Sequence, residues 1–349
     1  MLITGGAGFI GTNLSHHYLQ SGRSVIVYDN LSRPGVEMNL RWLQSTHGSG
    51  LEVVVADIRD RDMLAKTVRK AGRVYHLAAQ VAVTTSIDDP LSDFEINLRG
   101  TINLLEAIRQ LDNPPILVFT STNKVYGQLE DIELQADRSR YAPVDETIRR
   151  HGIDETRPLD FHSPYGCSKG SADQYVLDYA RIYGLPTVVF RMSCIYGPHQ
   201  HGTEDQGWVA HFLLSGFNGE AITLYGDGRQ VRDILYVGDL VRALAAAADR
   251  IELTRGRVFN IGGGPENTAS PREIIDIVRT GYGLDPKIKY GFWRKGDQRY
   301  YVSNTGAFGG LTGWKPQVGP REGIDRLVTW LIENNLTAIK QGRAQEVAG

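Results

Sequence analysis

Cysteine is nearly missing from this chain: Cys167 and Cys194 are the only two in 349 residues. Two thiols so far apart have no metal-ligand spacing and build no secreted disulfide framework, so neither a metal site nor a stapled scaffold is expected. Excess charge of one sign is missing too. Lys and Arg number 38 against 40 Asp and Glu, and the net charge of −2 leaves no basic stripe for a nucleic-acid backbone. No apolar run is long enough to cross a bilayer, and the first strand begins at residue 2 with no room for a signal peptide. These absences lead us to expect a cytoplasmic protein without a nucleic-acid or membrane partner. What is present, 41% apolar and 22% charged residues, suits a globular protein with one large or two smaller cores.

The chain opens on a nucleotide-site pattern. Leu2-Ile3 reads as a strand, Thr4-Gly-Gly-Ala-Gly-Phe-Ile-Gly11 as a turn, and Thr12 to Gln20 as a helix, with glycines at 5, 8 and 11. Glycines clear side chains from the path of a pyrophosphate, and the helix N-terminus offers it free amides and partial positive charge. A second strand, Ser24 to Tyr28, ends in Asp29, eighteen residues after Gly11. A carboxylate there accepts hydrogen bonds from a ribose diol and repels a 2′-phosphate, which points to NAD rather than NADP. Arg33, of a residue type that pairs with a 2′-phosphate, follows four residues later. Gly5, Gly8, Phe9, Ile10, Gly11, Asp29, Asn30 and Ser32 are therefore expected to hold the cofactor. Ligands in open α/β sheets collect at the carboxyl ends of strands. Asp57 and Ile58 are accordingly placed over the adenine, and Leu77, Ala78, Ala79 and Gln80 by the nicotinamide ribose, with Thr120 on the strand before Thr122. His76, inside an apolar strand, reads as a satisfied core histidine.

Tyr165 and Lys169 stand four residues apart at the start of an amphipathic stretch running from Ser168 to Tyr183, so both side chains lie on one helix face. A phenol beside an ammonium is a candidate general base, because the cation favours the phenolate and lowers the pKa. Thr122, at the end of the apolar strand that contains Pro115 to Phe119, is placed to hold the same substrate hydroxyl.

With these residues in view, the chain resembles the extended short-chain dehydrogenase/reductase family over nearly its whole length. The resemblance is carried by Thr4 to Gly11, Asp57-Ile58, His76 to Gln80, Asn97 in Glu-Ile-Asn-Leu-Arg-Gly-Thr, and the Thr122, Tyr165, Lys169 set. It continues through Arg191 with Tyr196-Gly-Pro198, and Gly226 to Asp239. It implies an α/β fold, a Rossmann-type doubly wound parallel sheet with a smaller α/β substrate-binding domain. The expected division is 1–190 plus 232–262 for the NAD domain, 191–231 plus 263–335 for the nucleotide-sugar domain, and a tail at 336–349. By the same resemblance Asn97 joins the cofactor set, and Arg191, Arg232 and Arg299 join the substrate set. Arg232 and Arg299 would meet the substrate pyrophosphate, whose oxygens suit the planar guanidinium fork. A homodimer through helices near Asn97 and Ser168 is implied as well.

The residues after Thr122 separate subfamilies. Nucleotide-sugar 4,6-dehydratases carry an acid there to protonate the leaving water, whereas Asn123 and Lys124 stand here; an amide delivers no proton. Decarboxylases are disfavoured for the same reason, and epimerisation remains. Ser121 to Gly127, Asp160 to Gly170 and Asp205-Gln-Gly-Trp208 are more similar to CDP-tyvelose (CDP-paratose) 2-epimerases than to UDP-galactose 4-epimerases. The implied substrate is a CDP-linked hexose, oxidised and re-reduced at C2 with Tyr165 as base and NAD regenerated. Asn123, Lys124 and His162 are further candidate sugar or phosphate contacts. A C4-epimerase using the same three residues and a non-catalytic NAD-binding module stay open as alternatives. The long, charged segment from Gln128 to His162 reads either as a disordered surface insertion or as a loop bordering the sugar pocket.

Overall fold

The computed structural model describes residues 1–337. All but the first two residues of the tail expected at 336–349 therefore lie outside the described residues. Seven strands form the central sheet: β1 (Leu2–Thr4), β2 (Val25–Asp29), β3 (Leu51–Val55), β4 (Arg73–His76), β5 (Ile116–Thr122), β6 (Thr187–Met192) and β7 (Arg257–Ile261). They are ordered β7-β6-β5-β4-β1-β2-β3, and every pairing is parallel. Parallel strands need crossovers, which put helices on both faces, so the strands read as apolar runs rather than alternating ones. Leu2, Ile3, Val25, Val27, Val118 and Phe119 are accordingly buried.

One face of the sheet is covered by the helices Phe9–Gln20, Val36–His47 and Val237–Asp249, packed through Leu14, Leu40, Leu43, Leu240 and Leu244. The other is covered through Leu64, Leu104, Ile108, Ala172 and Val176, from Arg61–Val68, Gly100–Arg109 and Ser163–Tyr183. Chain order reverses between β1 and β4, and the diverging connections open a crevice at the carboxyl ends of these strands.

A second layer lies over that crevice. Val231–Tyr236 pairs with Cys194–Tyr196, Thr268–Ala269 and Tyr300–Tyr301, while Ile222–Tyr225 pairs with Ile288–Gly291. Helices Trp208–Asn218, Pro271–Tyr282 and Pro320–Glu333 close a separate core around Phe212, Leu213, Ile274, Val278, Ile324 and Leu327. The start of Pro271–Tyr282 is determined locally: Ser270 accepts from the Glu273 amide, Glu273 reaches back to the Ser270 amide, and proline opens the first turn.

The segment from Gln128 to His162 is ordered and stands away from the main cavity. It forms a hairpin, Leu134–Ala136 with Tyr141–Pro143, and a short helix, Glu146–His151. Its Leu129, Ile132 and Ile153 pack with Val125, Tyr126 and Tyr301, and Arg140 clamps Glu273 at 2.5 and 2.6 Å. Among the described residues no helix is long and apolar enough to cross a membrane.

Candidate active site

A cavity of about 820 Å3 runs from the turn after β1 to the second layer. Its inner half is built on glycine. Gly5 has φ +70°, and a Cβ there would stand 2.8 Å from the Ala78 nitrogen; at Gly11 it would stand 2.2 Å from the Gly5 carbonyl oxygen. Backbone cannot retreat from such contacts, so only glycine lets turn and helix come this close. No side chain caps the first turn of Phe9–Gln20, which leaves its amides free for an anion. We expect Gly11→Ala to purify without NAD while remaining folded, checked by the nucleotide released on denaturation and by circular dichroism.

Gly5, Gly8, Phe9, Ile10, Gly11, Asp29, Asn30, Ser32, Asp57, Ile58, Leu77, Ala78, Ala79, Gln80 and Thr120 all line this cavity. Asp29 closes β2 and accepts from the amides of Ala7 (3.0 Å) and Leu31 (2.9 Å), so its carboxylate is fixed beside the glycine turn. Arg33 also lines the cavity, with Asp29 and Tyr165 in electrostatic reach. Asp57 accepts from Arg59 at 2.8 Å and Asn30 at 2.8 Å, and chiefly the Arg59 bond pulls its carboxyl down to about 2. His76 meets Thr4 (2.7 Å) and Thr101 (3.0 Å), and burial pushes it down to about 3, a neutral core histidine.

Asn97 stands behind this wall. It is buried, accepts from the Gln80 amide (2.9 Å) and donates to the Gln80 carbonyl (3.0 Å), Asp93 (3.1 Å) and Ser168 (3.1 Å). Its amide is consumed in joining the Gln80 turn to Ser163–Tyr183, so it positions cavity residues and does not itself line the cavity, a correction to its place in the cofactor set.

The reaction centre comes from the end of β5 and the first turns of Ser163–Tyr183, and it brings together Thr122, Tyr165 and Lys169. The Thr122 hydroxyl donates to the Asn123 side-chain oxygen at 3.3 Å and accepts from the Lys124 amide at 3.2 Å, close enough to the Tyr165 phenol to influence its ionisation. Burial pushes that phenol up to about 12, with Thr122 and the charge of Arg33 opposing the rise and Asp93 adding to it. The expectation that Lys169 brings the tyrosine pKa down is thus corrected: Lys169 donates to the Thr120 carbonyl at 2.6 Å and lies 4.3 Å from the Phe119 ring centre. Burial pushes Lys169 itself down to about 7, against the pull of Asp173 and Asp93.

Beyond this centre the wall carries Asn123, Lys124 and Arg232. Asn123 bonds Gln298 (3.3 Å). Lys124 (3.5 Å) and Arg232 (2.7 Å) share Asp297, and Arg232 also donates to the carbonyls of Val231 and Gln298. Burial opposes ionisation of Asp297, yet Arg232 and Lys124 hold its carboxyl below the usual range.

Three residues of the expected substrate set lie elsewhere. Arg191 is buried at 3% exposure and forks onto Asp173 at 2.9 and 3.0 Å, with Tyr126 at 3.1 Å, because its position on β6 turns the side chain toward Ser163–Tyr183. His162 turns outward to Asp160 (3.0 Å) and lines a separate cavity of about 330 Å3. Arg299 is exposed outside the main cavity, over the rings of Trp293 and Tyr141. A cation that lines the cavity beside Lys124 and Arg232 is Arg294, 3.8 Å from the Tyr225 ring centre and 3.2 Å from Asp205. Sequence reading missed Arg294, Gln200, His211 and Gln230. Arg294 lies two residues before Gly296, where the quoted motif began; Gln200 and Gln230 sit on loops without a periodic signal, and His211 sits on the helix Trp208–Asn218.

The model of the NAD dependent epimerase/dehydratase family matches residues 1–262. CDP-paratose 2-epimerase of Salmonella typhi is 43% identical, over 95% of this chain and 98% of that protein. dTDP-glucose 4,6-dehydratase 1 of Escherichia coli (strain K12) is 32% identical, over 99% of this chain and 96% of that one. Among solved structures, the UDP-glucose 4-epimerase of Thermus thermophilus in complex with NAD superposes with a TM-score of 0.78 at 33% identity, covering 94% of this chain and 97% of that chain.

Proposed function

The chain belongs to the NAD dependent epimerase/dehydratase family, and from that premise we propose that it inverts C2 of a CDP-linked hexose through a transient 2-keto sugar. The observation that carries this reading is the equipment next to Thr122. Where a dehydratase needs a carboxylic acid stand Asn123 and Lys124, and the carboxyl that does reach this corner, Asp297, is ionised by Arg232 and Lys124. An ionised carboxylate delivers no proton to a leaving water.

The residues fit NAD, because the cradle at Gly5 and Gly11 excludes any Cβ and the fixed carboxylate of Asp29 suits a ribose diol. When bound, NAD supplies the hydride acceptor and returns the hydride to the same substrate. A hexose C2 has no neighbouring carbonyl, so its C–H is not acidic and simple deprotonation does not invert it. Tyr165 takes the C2 hydroxyl proton as C2 becomes a ketone, and Thr122 holds that oxygen by a hydrogen bond. After the keto sugar presents its other face, Tyr165 returns the proton to the inverted alcohol. The charge of Arg33 favours the fall in phenol pKa that this demands, and a bound NAD would add positive charge beside it. Lys169 would hold the ribose hydroxyls of the cofactor, and Lys124 and Arg232 would meet the substrate diphosphate.

Helices Pro90–Phe94 and Ser163–Tyr183 leave Leu91, Phe94, Tyr175 and Ile182 exposed at 76, 41, 44 and 62%, which supports a homodimer through this face. The purified protein, incubated with CDP-, GDP- and UDP-hexoses without added NAD, should invert C2 of the CDP sugar by NMR. A C2 deuterium label should stay on the sugar. Inversion at C4 would move the assignment to a 4-epimerase, and no product with any sugar to a binding module.

A further inference from the structure

We propose that the outer end of the cavity selects cytosine over uracil by its 4-amino group, with Glu204 as the accepting residue and the buried carbonyl oxygens of Gln206 and Gln230 beside it. The proposal rests on the CDP-hexose reading for the pyrimidine and for the direction in which the substrate lies. It adds the residues that read the base.

A nucleotide sugar is linear: sugar, diphosphate, ribose, base. If the reacting carbon meets Tyr165 and Thr122, the diphosphate falls at Lys124 and Arg232, and the base reaches the wall made by Glu204 to Gly207, Thr223 to Tyr225 and Gln230. Cations and N–H donors line this part of the cavity as well, Arg294, Lys295, His211 and Trp208 among them, yet several acceptors here have no donor. Gln200, Gln206 and Gln230 each line the cavity and each carry a buried side-chain oxygen without a hydrogen-bond partner among the described residues. Gln200 and Gln230 are each 6% exposed, and their amide nitrogens are taken by the carbonyls of Ile195 (3.2 Å) and Tyr225 (2.6 Å), which leaves the oxygens as the free ends. Buried acceptors without donors are uncommon in folded proteins and call for an explanation such as an absent ligand.

Glu204, an exposed residue on the same wall, is tied in place by its neighbours. Its carboxylate accepts from the Tyr225 phenol at 2.5 Å, its main-chain oxygen accepts from Arg294 at 3.2 Å, and the Arg294 guanidinium lies 3.8 Å from the Tyr225 ring centre. The Tyr225 bond keeps the carboxyl below its usual range and therefore ionised, a pure acceptor. Cytosine offers such a surface two N–H donors at position 4, whereas uracil and thymine offer a carbonyl oxygen there, which a carboxylate repels. A polar site that fits one such edge rejects the other because its own groups are left unpaired.

The test is the dissociation constant of CDP, UDP and GDP for the NAD-loaded protein and for Glu204→Gln, measured by calorimetry. Glutamine keeps an acceptor for Tyr225 and adds an N–H2 that can donate to uracil O4. We expect the parent protein to bind CDP about tenfold or more tighter than UDP, and the variant to bring the two within about threefold, mainly by gaining UDP affinity. Equal binding of CDP and UDP by the parent protein, a preference unchanged in the variant, or tighter binding of GDP than of CDP would overturn the proposal. Because the readout is binding of the diphosphate, it is independent of the carbon that inverts. C2 inversion of UDP- and CDP-hexoses at equal rates sinks the base selection and leaves the reaction standing. A CDP preference lost in Glu204→Gln together with C4 inversion does the reverse.

Discussion

Tyr165→Phe is expected to lower turnover of the proposed CDP-hexose substrate by roughly 10²–10⁴-fold, the range a positioned acid-base group contributes. The substitution removes one oxygen and keeps a ring that is 8% exposed and packed at the start of Ser163–Tyr183, so the fold and the cofactor cradle have no reason to change. What disappears is the proposed proton acceptor for the sugar hydroxyl, while the Thr122 hydroxyl keeps its bond to Asn123. The decisive measurement pairs NMR turnover with bound-NAD content and melting temperature: the first collapses and the other two stay near the parent values. Turnover within about threefold of the parent would remove Tyr165 as the base and with it the proposed chemistry. Burial makes this residue more demanding than a surface tyrosine, since in the ligand-free protein its phenol is pushed up to about 12. The bound cofactor and substrate must therefore complete the electrostatic environment before the proton moves, which predicts that the phenol titrates lower with NAD than without it.

The second large effect is on stability. Arg191→Met takes from the Asp173 carboxylate, at 0% exposure, its ion-pair partner and two guanidinium bonds of 2.9 and 3.0 Å, leaving the Gln174 side-chain amide at 2.9 Å as a donor. Breaking a buried pair from one side costs about 3–5 kcal/mol. At about 2–4 °C per kcal/mol, the scaling for large domains, the melting temperature should drop by roughly 10 °C. Tyr126 also loses a donor, at 3.1 Å, although it keeps its bond to Asn260 at 2.8 Å. Replacing both partners, Arg191→Met with Asp173→Leu, should recover most of the loss, because an apolar pair of similar volume leaves no charge uncompensated. The KM of the folded single variant should match the parent. A raised KM with an unchanged melting temperature would return Arg191 to the substrate site and contradict its burial beneath the sheet.

These two residues also mark how much of the molecule was legible in the chain. Tyr165 and Lys169 were found because helical spacing alone puts them on one face, and the glycine turn because its requirement is steric and local: no other residue fits at Gly11. The doubly wound sheet was implied by the family resemblance that these motifs carry. Arg191, His162 and Arg299 were placed at the substrate by motif alone, and each has another partner in the folded chain, namely Asp173, Asp160 and the ring of Trp293. Asn97 was correctly drawn into the neighbourhood but serves behind it. The segment from Gln128 to His162 read as an insertion of undetermined order, and its order comes from Arg140 meeting Glu273, 133 residues away.

The amino-acid sequence by itself determined the cofactor turn, the placing of Tyr165 and Lys169 on one helix face and the absence of an acid beside Thr122, because each depends on residue type and short-range spacing. Only the tertiary structure decided which cations face the cavity, why Asp297 is ionised, how far burial lifts the Tyr165 phenol, and which acceptors gather at the outer wall. Those properties come from groups distant in sequence meeting in a medium of low polarity, where desolvation and pairing set the charge of each, and no local pattern records that meeting.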